Sequence, residues 1–150
     1  MIMDYEKKRN MTQEEKQTLL QDLCARLPYR VKIEITWWVM GEGTCINTTL
    51  EPDHLEQLLN DKYGYTEIKP YLRPLSSMTE EEKHYIDNRW GADNYGDIIT
   101  YSSYENGVST VELADIIGFQ DWLNRKMFDY RYLIPMGLAI KAPEEMYHSV

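Results

Sequence analysis

The sequence predicts an α+β fold, in which a small, mainly antiparallel sheet packs with three principal helices over about 12–26, 79–90 and 119–128. Three observations carry this expectation. Two capping boxes, Thr12-Gln13-Glu14-Glu15 and Thr79-Glu80-Glu81-Glu82, each open a helical stretch. The run 31–39 alternates with a period of two, and glycine-bearing turn signals follow the strand-like segments.

Taken in order, residues 1–10 mix charge with a few apolar side chains and read as a flexible arm before a single globular domain over 11–150. After Thr12, the residues Leu19, Leu20, Leu23, Cys24 and Leu27 recur at helical spacing and predict one apolar stripe. Pro28 is expected to end that helix near Arg26, because the residue before proline avoids the α region. Val31, Ile33, Ile35, Trp37 and Val39 then alternate with Lys32, Glu34, Thr36, Trp38 and Met40, the pattern of a strand with one buried face. Gly41-Glu42-Gly43 supplies the expected turn, and Thr44 to Leu50 returns as a hairpin. Pro52 favours a short helix ending near Asn60.

Tyr65 to Leu72 reads as a further strand, placed at an edge by Pro70 and Pro74. The second capped helix runs to about Trp90. A loop over 91–96, a strand over 98–104 and the turn pair Asn106-Gly107 are expected next. Val108 to Leu113 fits either a returning strand or a helix capped by Ser109 and Glu112. Phe119 to Phe128 forms the last long helix, and 132–142 closes the chain as a turn and a short extended piece.

The chain has 150 residues, 43% hydrophobic and 27% charged, a balance that supports one buried core without staples. No apolar run approaches the ~20 residues that span a bilayer, and the first residues lack a secretory pattern, so a cytoplasmic protein without membrane contact is expected. Cys24 and Cys45 are read as two buried free thiols, with a single disulfide between them as the alternative. Net charge is −9; residues 1–30 contribute one positive charge, so the body carries −10. That field opposes a phosphate backbone, and Lys7-Lys8-Arg9 alone does not offset it.

The search for chemistry is mostly negative. His54, His84 and His148 form no pair at ligand spacing with each other or with cysteine, so no metal site is predicted, and no cofactor. No nucleophile elbow or phosphate-binding glycine pattern occurs. Glu80-Glu81-Glu82 reads as a helix N-terminus meeting its dipole. The candidate binding residues are Asp129, Tyr130 and Arg131, an acid, a phenol and a fixed cation in succession. The plainer reading is the stronger: Asp129 caps or pairs with Arg131 while the aromatics close the core. Trp37 and Trp38 must point to opposite faces, and Trp38 is the candidate for an exposed aromatic surface that Tyr63, Tyr65, Tyr71, Tyr101 and Tyr104 would extend.

Several blocks carry a resemblance. Ile68-Lys69-Pro70-Tyr71-Leu72-Arg73-Pro74-Leu75-Ser76-Ser77-Met78-Thr79-Glu80-Glu81-Glu82 is one, and Phe128-Asp129-Tyr130-Arg131 with Leu133-Ile134 is another. Gly137-Leu138-Ala139, Ala142-Pro143 and Met146-Tyr147 follow, with Met11 to Lys16 and Leu27-Pro28-Tyr29 at the start. Together they resemble a family of short uncharacterised proteins encoded by gut anaerobes and by their phages and mobile elements. This chain departs from that pattern at Lys126-Met127, where the family often has a histidine pair, and at Tyr132, where it commonly has glycine. The resemblance implies a genomic setting and no activity.

Together these readings predict a non-enzymatic interaction factor of phage or mobile-element origin that binds an unidentified protein partner, with an acidic nucleic-acid mimic as a subtype. The alternative is a small-ligand-binding protein or enzyme built around Asp129, Tyr130 and Arg131, with His84 as a further member.

Overall fold

In the computed structural model, which describes residues 11–60, 65–90 and 113–147, Thr12 closes its capping box. Its hydroxyl accepts from the Glu15 N–H at 3.1 Å, and Glu15 Oε1 accepts from the Thr12 N–H at 3.0 Å. The helix that follows, α1 (Gln13–Arg26), buries Leu19, Asp22, Leu23 and Arg26. The stripe is therefore half polar, with Cys24 exposed and Leu20 and Leu27 only half-buried. The α-helix does end at Arg26, but for a different reason than expected. Leu27 keeps right-handed helical angles (φ −53, ψ −45), and Leu27–Tyr29 tightens into a 3₁₀ turn that stops on Arg30 at φ 60.

The fold is α+β, with a four-stranded, mainly antiparallel sheet in the order β2-β1-β3-β4. β1 (Lys32–Val39) and β2 (Glu42–Thr49) form a hairpin in which Val39 faces Glu42. The loop is thus Met40-Gly41, with φ 54 and 83, the two positive angles that a tight two-residue hairpin turn requires. Glu42 and Gly43, expected in the turn, belong to β2 instead. Gly43 faces Trp38, whose ring lies over it so closely that a Cβ there would stand 2.9 Å from the ring.

β3 (Tyr65–Leu72) pairs antiparallel with β1. It is expected at an edge, yet its last two residues, Tyr71 and Leu72, lie inside the sheet. β4 (Ile140–Lys141) joins it in parallel at Tyr71 and Leu72, just past Pro70, where proline no longer withholds a donor. Arg73 continues this contact as an isolated bridge to Phe128. The outer strand of the hairpin, β2, is one edge of the sheet among the described residues, and the two-residue β4 is at the other. Ile33, Ile35, Ile68 and Leu72 pack beneath Leu19 and Leu23 of α1, with Leu58, Met127, Leu133 and Leu138, to form the main core.

α2 (Pro52–Asn60) follows the hairpin, with proline at its first position. A 3₁₀ turn, Leu75–Ser77, leads to α3 (Glu80–Trp90), capped reciprocally by Thr79 and Glu82. α4 (Leu113–Arg125) starts earlier than 119 and carries Gly118 inside it. It also ends earlier than Phe128. The Phe128 N–H donates to the Leu123 carbonyl at 3.0 Å and the Met127 N–H to that of Asn124 at 3.1 Å, with Met127 at φ 65. This is a Schellman ending with methionine at the position glycine usually takes. Trp122, Phe119, Phe128, Ile86, Met78 and Leu123 form a second, aromatic cluster between α3 and α4. The 132–142 stretch closes as turns and the short β4, as expected. The arm at 1–10, the loop at 91–96, the strand at 98–104 and the Asn106-Gly107 turn lie outside the described residues; of the strand-or-helix alternative over 108–113 only Leu113 is described, and it is helical, the first residue of α4.

Candidate functional site

α1 carries the centre of the polar constellation. Asp22 and Arg26 stand four residues apart on one helix face, both with fully buried side chains. Arg26 Nε donates to Asp22 Oδ2 at 2.9 Å and Nη2 donates to Oδ1 at 3.0 Å. Nη2 also donates to the Phe128 carbonyl at 2.6 Å, and Nη1 to that of Asn124 at 3.5 Å. The buried cation thus meets the carbonyl end of α4, where the helix dipole is negative. Arg131 Nη1 adds a third donor to the Asp22 carboxylate, at Oδ1 and 2.8 Å.

The sequence-predicted residues Asp129, Tyr130 and Arg131 follow directly on this contact; of the two roles expected for Asp129 it takes the cap and not the pairing with Arg131. The Asp129 carboxylate accepts from the backbone N–H groups of Leu133 and Ile134 at 2.8 and 2.9 Å, capping the turn that follows it. Arg131 pairs with Asp22, not with Asp129, and lies over the Tyr130 ring at 4.6 Å. The buried Tyr130 hydroxyl donates to Asn124 Oδ1 at 2.9 Å. Burial raises its pKa against the pull of Arg131 and Arg26, so the phenol stays neutral at ordinary pH. Each polar group in this set is spent on a bond that holds α1, α4 and the chain after α4 together. Only Arg131, half-buried, keeps guanidinium surface toward solvent.

A second constellation centres on Arg73, just past β3. Its Nη1 and Nη2 meet Glu82 Oε2 and Oε1 at 2.8 and 2.7 Å, a fork-to-fork pair, and its guanidinium covers the Phe128 ring at 4.1 Å. Its backbone accepts from Asp129 N–H at 2.8 Å and donates to the Met127 carbonyl at 2.7 Å. Burial would push Glu82 up, but the Arg73 and Thr79 hydrogen bonds outweigh it and hold the carboxyl below its usual range. Near the other end, the Tyr147 hydroxyl donates to the Tyr71 carbonyl at 2.8 Å and accepts from the Lys32 N–H at 3.0 Å. Burial pushes Tyr147 up to about 12.

Trp38 is half-buried and sits beside Tyr65 across the strands, on the sheet face opposite Trp37, whose Nε1 donates to Gln57 Oε1 at 2.8 Å. Tyr71 does not extend an exposed surface. It is buried, and its hydroxyl reaches across β1 to Asn47 Oδ1 at 2.8 Å. Tyr63, Tyr101 and Tyr104 lie outside the described residues. His84 is exposed on α3. Cys24 and Cys45 are free as expected, but both are exposed rather than buried. The exposure of the hairpin is the feature that sequence reading missed: Met40 is 98% exposed at its tip, with Val39 and Ile46 also open to solvent.

Asp22, Arg26, Arg73 and Glu82 were missed as well. The i,i+4 acid–base pair at 22 and 26 on the inner face of α1 was the available signal for the first two. A cleft of about 270 Å³, lined by Met11, Lys16, Leu58, Tyr65 and Glu67 among others, shares no residue with either constellation. Among the described residues no group of acidic, histidine or cysteine side chains has metal-binding geometry, and no helix is long and apolar enough to cross a membrane. No family model, curated protein or solved structure matches the chain.

Proposed function

We propose that the chain is a non-enzymatic interaction factor that binds a protein partner through its β1–β2 hairpin. The observation that carries this reading is the hairpin's exposure. Met40 stands 98% open at the tip, Val39 beside it and Ile46 further along β2 are exposed, and β2 is an outer strand of the sheet among the described residues. A large apolar side chain held out by a tight turn costs hydration and contributes nothing to the core. Exposed apolar side chains grouped on one element, as Val39, Met40 and Ile46 are on the hairpin, can mark a contact surface. The spent polar groups of Asp129, Tyr130 and Arg131 support the same reading, because a ligand there would have to displace bonds the fold uses. The motif resemblance supports an origin in a phage or mobile element. The net charge of −9 supports a protein partner over a nucleic acid.

The test is capture of partners by the tagged chain from a lysate of its native host, read by mass spectrometry at two salt concentrations. Met40→Asp and Val39→Asp are run beside it. The expected result is a salt-resistant, near-stoichiometric protein partner that both variants lose while keeping the parental circular dichroism spectrum. Bait recovered alone, or a partner retained by both variants, overturns the reading.

A further inference from the structure

We infer that β2 is an assembly edge, and that its occupant is β2 of a second copy of this chain, paired antiparallel about a two-fold axis near Ile46. The inference rests on the hairpin being the interaction element. It begins from the hydrogen-bond phase of the hairpin. The Leu50 N–H donates to the Val31 carbonyl at 2.9 Å, and Val39 faces Glu42 at the tight turn. Bonded positions alternate along an antiparallel pair, so the even residues of β2 bond to β1. Gly43, Cys45, Asn47 and Thr49 therefore turn their N–H and C=O groups outward, away from β1.

Edges of this kind are ordinarily blunted by proline, lysine, a bulge or shortness. β2 has none of these. It runs for eight residues, pairs one-to-one with β1 throughout, contains no proline or lysine, and bears its only charge, Glu42, at the hairpin end. Thr44, Ile46, Thr48 and Thr49 are β-branched, a composition that suits a paired strand.

The edge is self-complementary, and this is why a second copy is taken as its occupant. A two-fold axis perpendicular to the sheet keeps each face on its own side and places Ile46 opposite the second copy's Ile46, in the close, non-hydrogen-bonded phase. Thr44 then faces the second copy's Thr48, and Cys45 faces its Asn47. The outward groups of Cys45, Asn47, Gly43 and Thr49 fall in the bonded phase, as the ladder demands. Glu42 faces the second copy's Leu50, so no like charges oppose each other within the strand pair. An edge of this length buries less than the roughly 800 Å² per partner of a standard stable interface, so the dimer is reversible and its population follows concentration.

The experiment is sedimentation velocity of the full chain over a hundredfold range of concentration, with Ile46→Lys and Thr44→Lys alongside. In parallel, a Cys24→Ser chain is treated with a short bismaleimide, because this register sets the two Cys45 residues roughly 8 Å apart. The expected result is a mean mass that climbs toward twice that of the chain and a Cys45 cross-link. Each lysine variant should raise the dissociation constant about tenfold or more with an unchanged circular dichroism spectrum. Two variants guard against one that misfolds, since both sites are solvent-exposed. A monomer at every concentration, a dimer indifferent to both lysines, or no Cys45 cross-link overturns the inference. If the chain is monomeric while Met40→Asp still abolishes partner capture, the proposed function stands and only the self-pairing falls.

Discussion

Arg26 Nη2 donates to the carbonyl oxygen of Phe128 at 2.6 Å, across 102 positions of chain, and so locks the end of α1 to the segment leaving α4. The same guanidinium neutralises Asp22 with two further bonds, and both side chains are fully buried. Removing Arg26 takes two of the three cationic donors from the buried Asp22 carboxylate, leaving it Arg131 alone, and takes the side-chain donor from the Phe128 carbonyl. Arg26→Leu is expected to lower the unfolding free energy by about 3 kcal/mol, measured by urea denaturation. The double variant Arg26→Leu/Asp22→Leu should lose less than the sum of the two single changes, because it leaves neither of that pair's charges stranded. A purely additive result would contradict the coupling.

Arg73 and Glu82 make acid sensitivity measurable. The folded-state ionisation of Glu82 lies below its ordinary value of 4.5, so the folded state favours the carboxylate. Its stabilising contribution is present above the ordinary value and is lost as pH falls through the folded one. Glu82→Gln should cost about 2 kcal/mol at neutral pH, since it breaks a charged fork and weakens the α3 cap. The deficit should shrink steadily below pH ~4.5, where the parent carboxyl also protonates. A deficit constant with pH would show that the charge is not what matters.

Tyr147 titrates in the opposite direction. Burial lifts it to about 12, from 10.0, so the folded state holds the proton more tightly than the unfolded chain. The stability tied to the neutral phenol is whole below pH 10 and disappears as pH rises through about 12. Tyr147→Phe should lower stability at neutral pH by roughly 1–3 kcal/mol, because the Lys32 N–H and the Tyr71 carbonyl both lose their partner. It should also flatten the alkaline limb of the unfolding profile. An alkaline limb unchanged in the variant would assign that titration to another tyrosine.

Gly43 lies beneath the Trp38 ring, where a Cβ would come within 2.9 Å of it. Gly43→Ala is expected to cost about 1 kcal/mol by displacing the ring, although alanine otherwise suits a strand better than glycine. In a Trp38→Ala background the same change should be neutral or stabilising. A cost that persists in that background would remove Trp38 as its cause.

Local chemistry made the fold legible where one residue's side chain decides a few neighbours. Both capping boxes formed between the residues the sequence named, because Thr and Glu three positions apart need nothing beyond the helix itself. The period-two run of β1 fixed which of Trp37 and Trp38 would meet the core side. The failures are equally particular. Met40 and Met127 take positive φ angles that methionine does not advertise, so the true hairpin loop and the true end of α4 were displaced from the glycines and aromatics that seemed to mark them. Of the candidate site, Asp129, Tyr130 and Arg131 were visible as a dense polar cluster. Their partners Asp22 and Asn124 lie far enough away in sequence or on another helix that no spacing rule reaches them.

The sequence alone determined the α+β class, the capped starts of α1 and α3, the β1–β2 hairpin and the acidity, since these rest on propensity, period and counted charge. Tertiary structure alone decided that Asp22 and Arg26 go inside, that Arg131 joins them rather than Asp129, that the end of β3 lies inside the sheet, and that Met40 stays out. Those outcomes depend on which distant carbonyls and carboxylates meet in a medium of low polarity. There, a long-range bond such as Arg26 to Phe128 outweighs the preference of any single side chain for water.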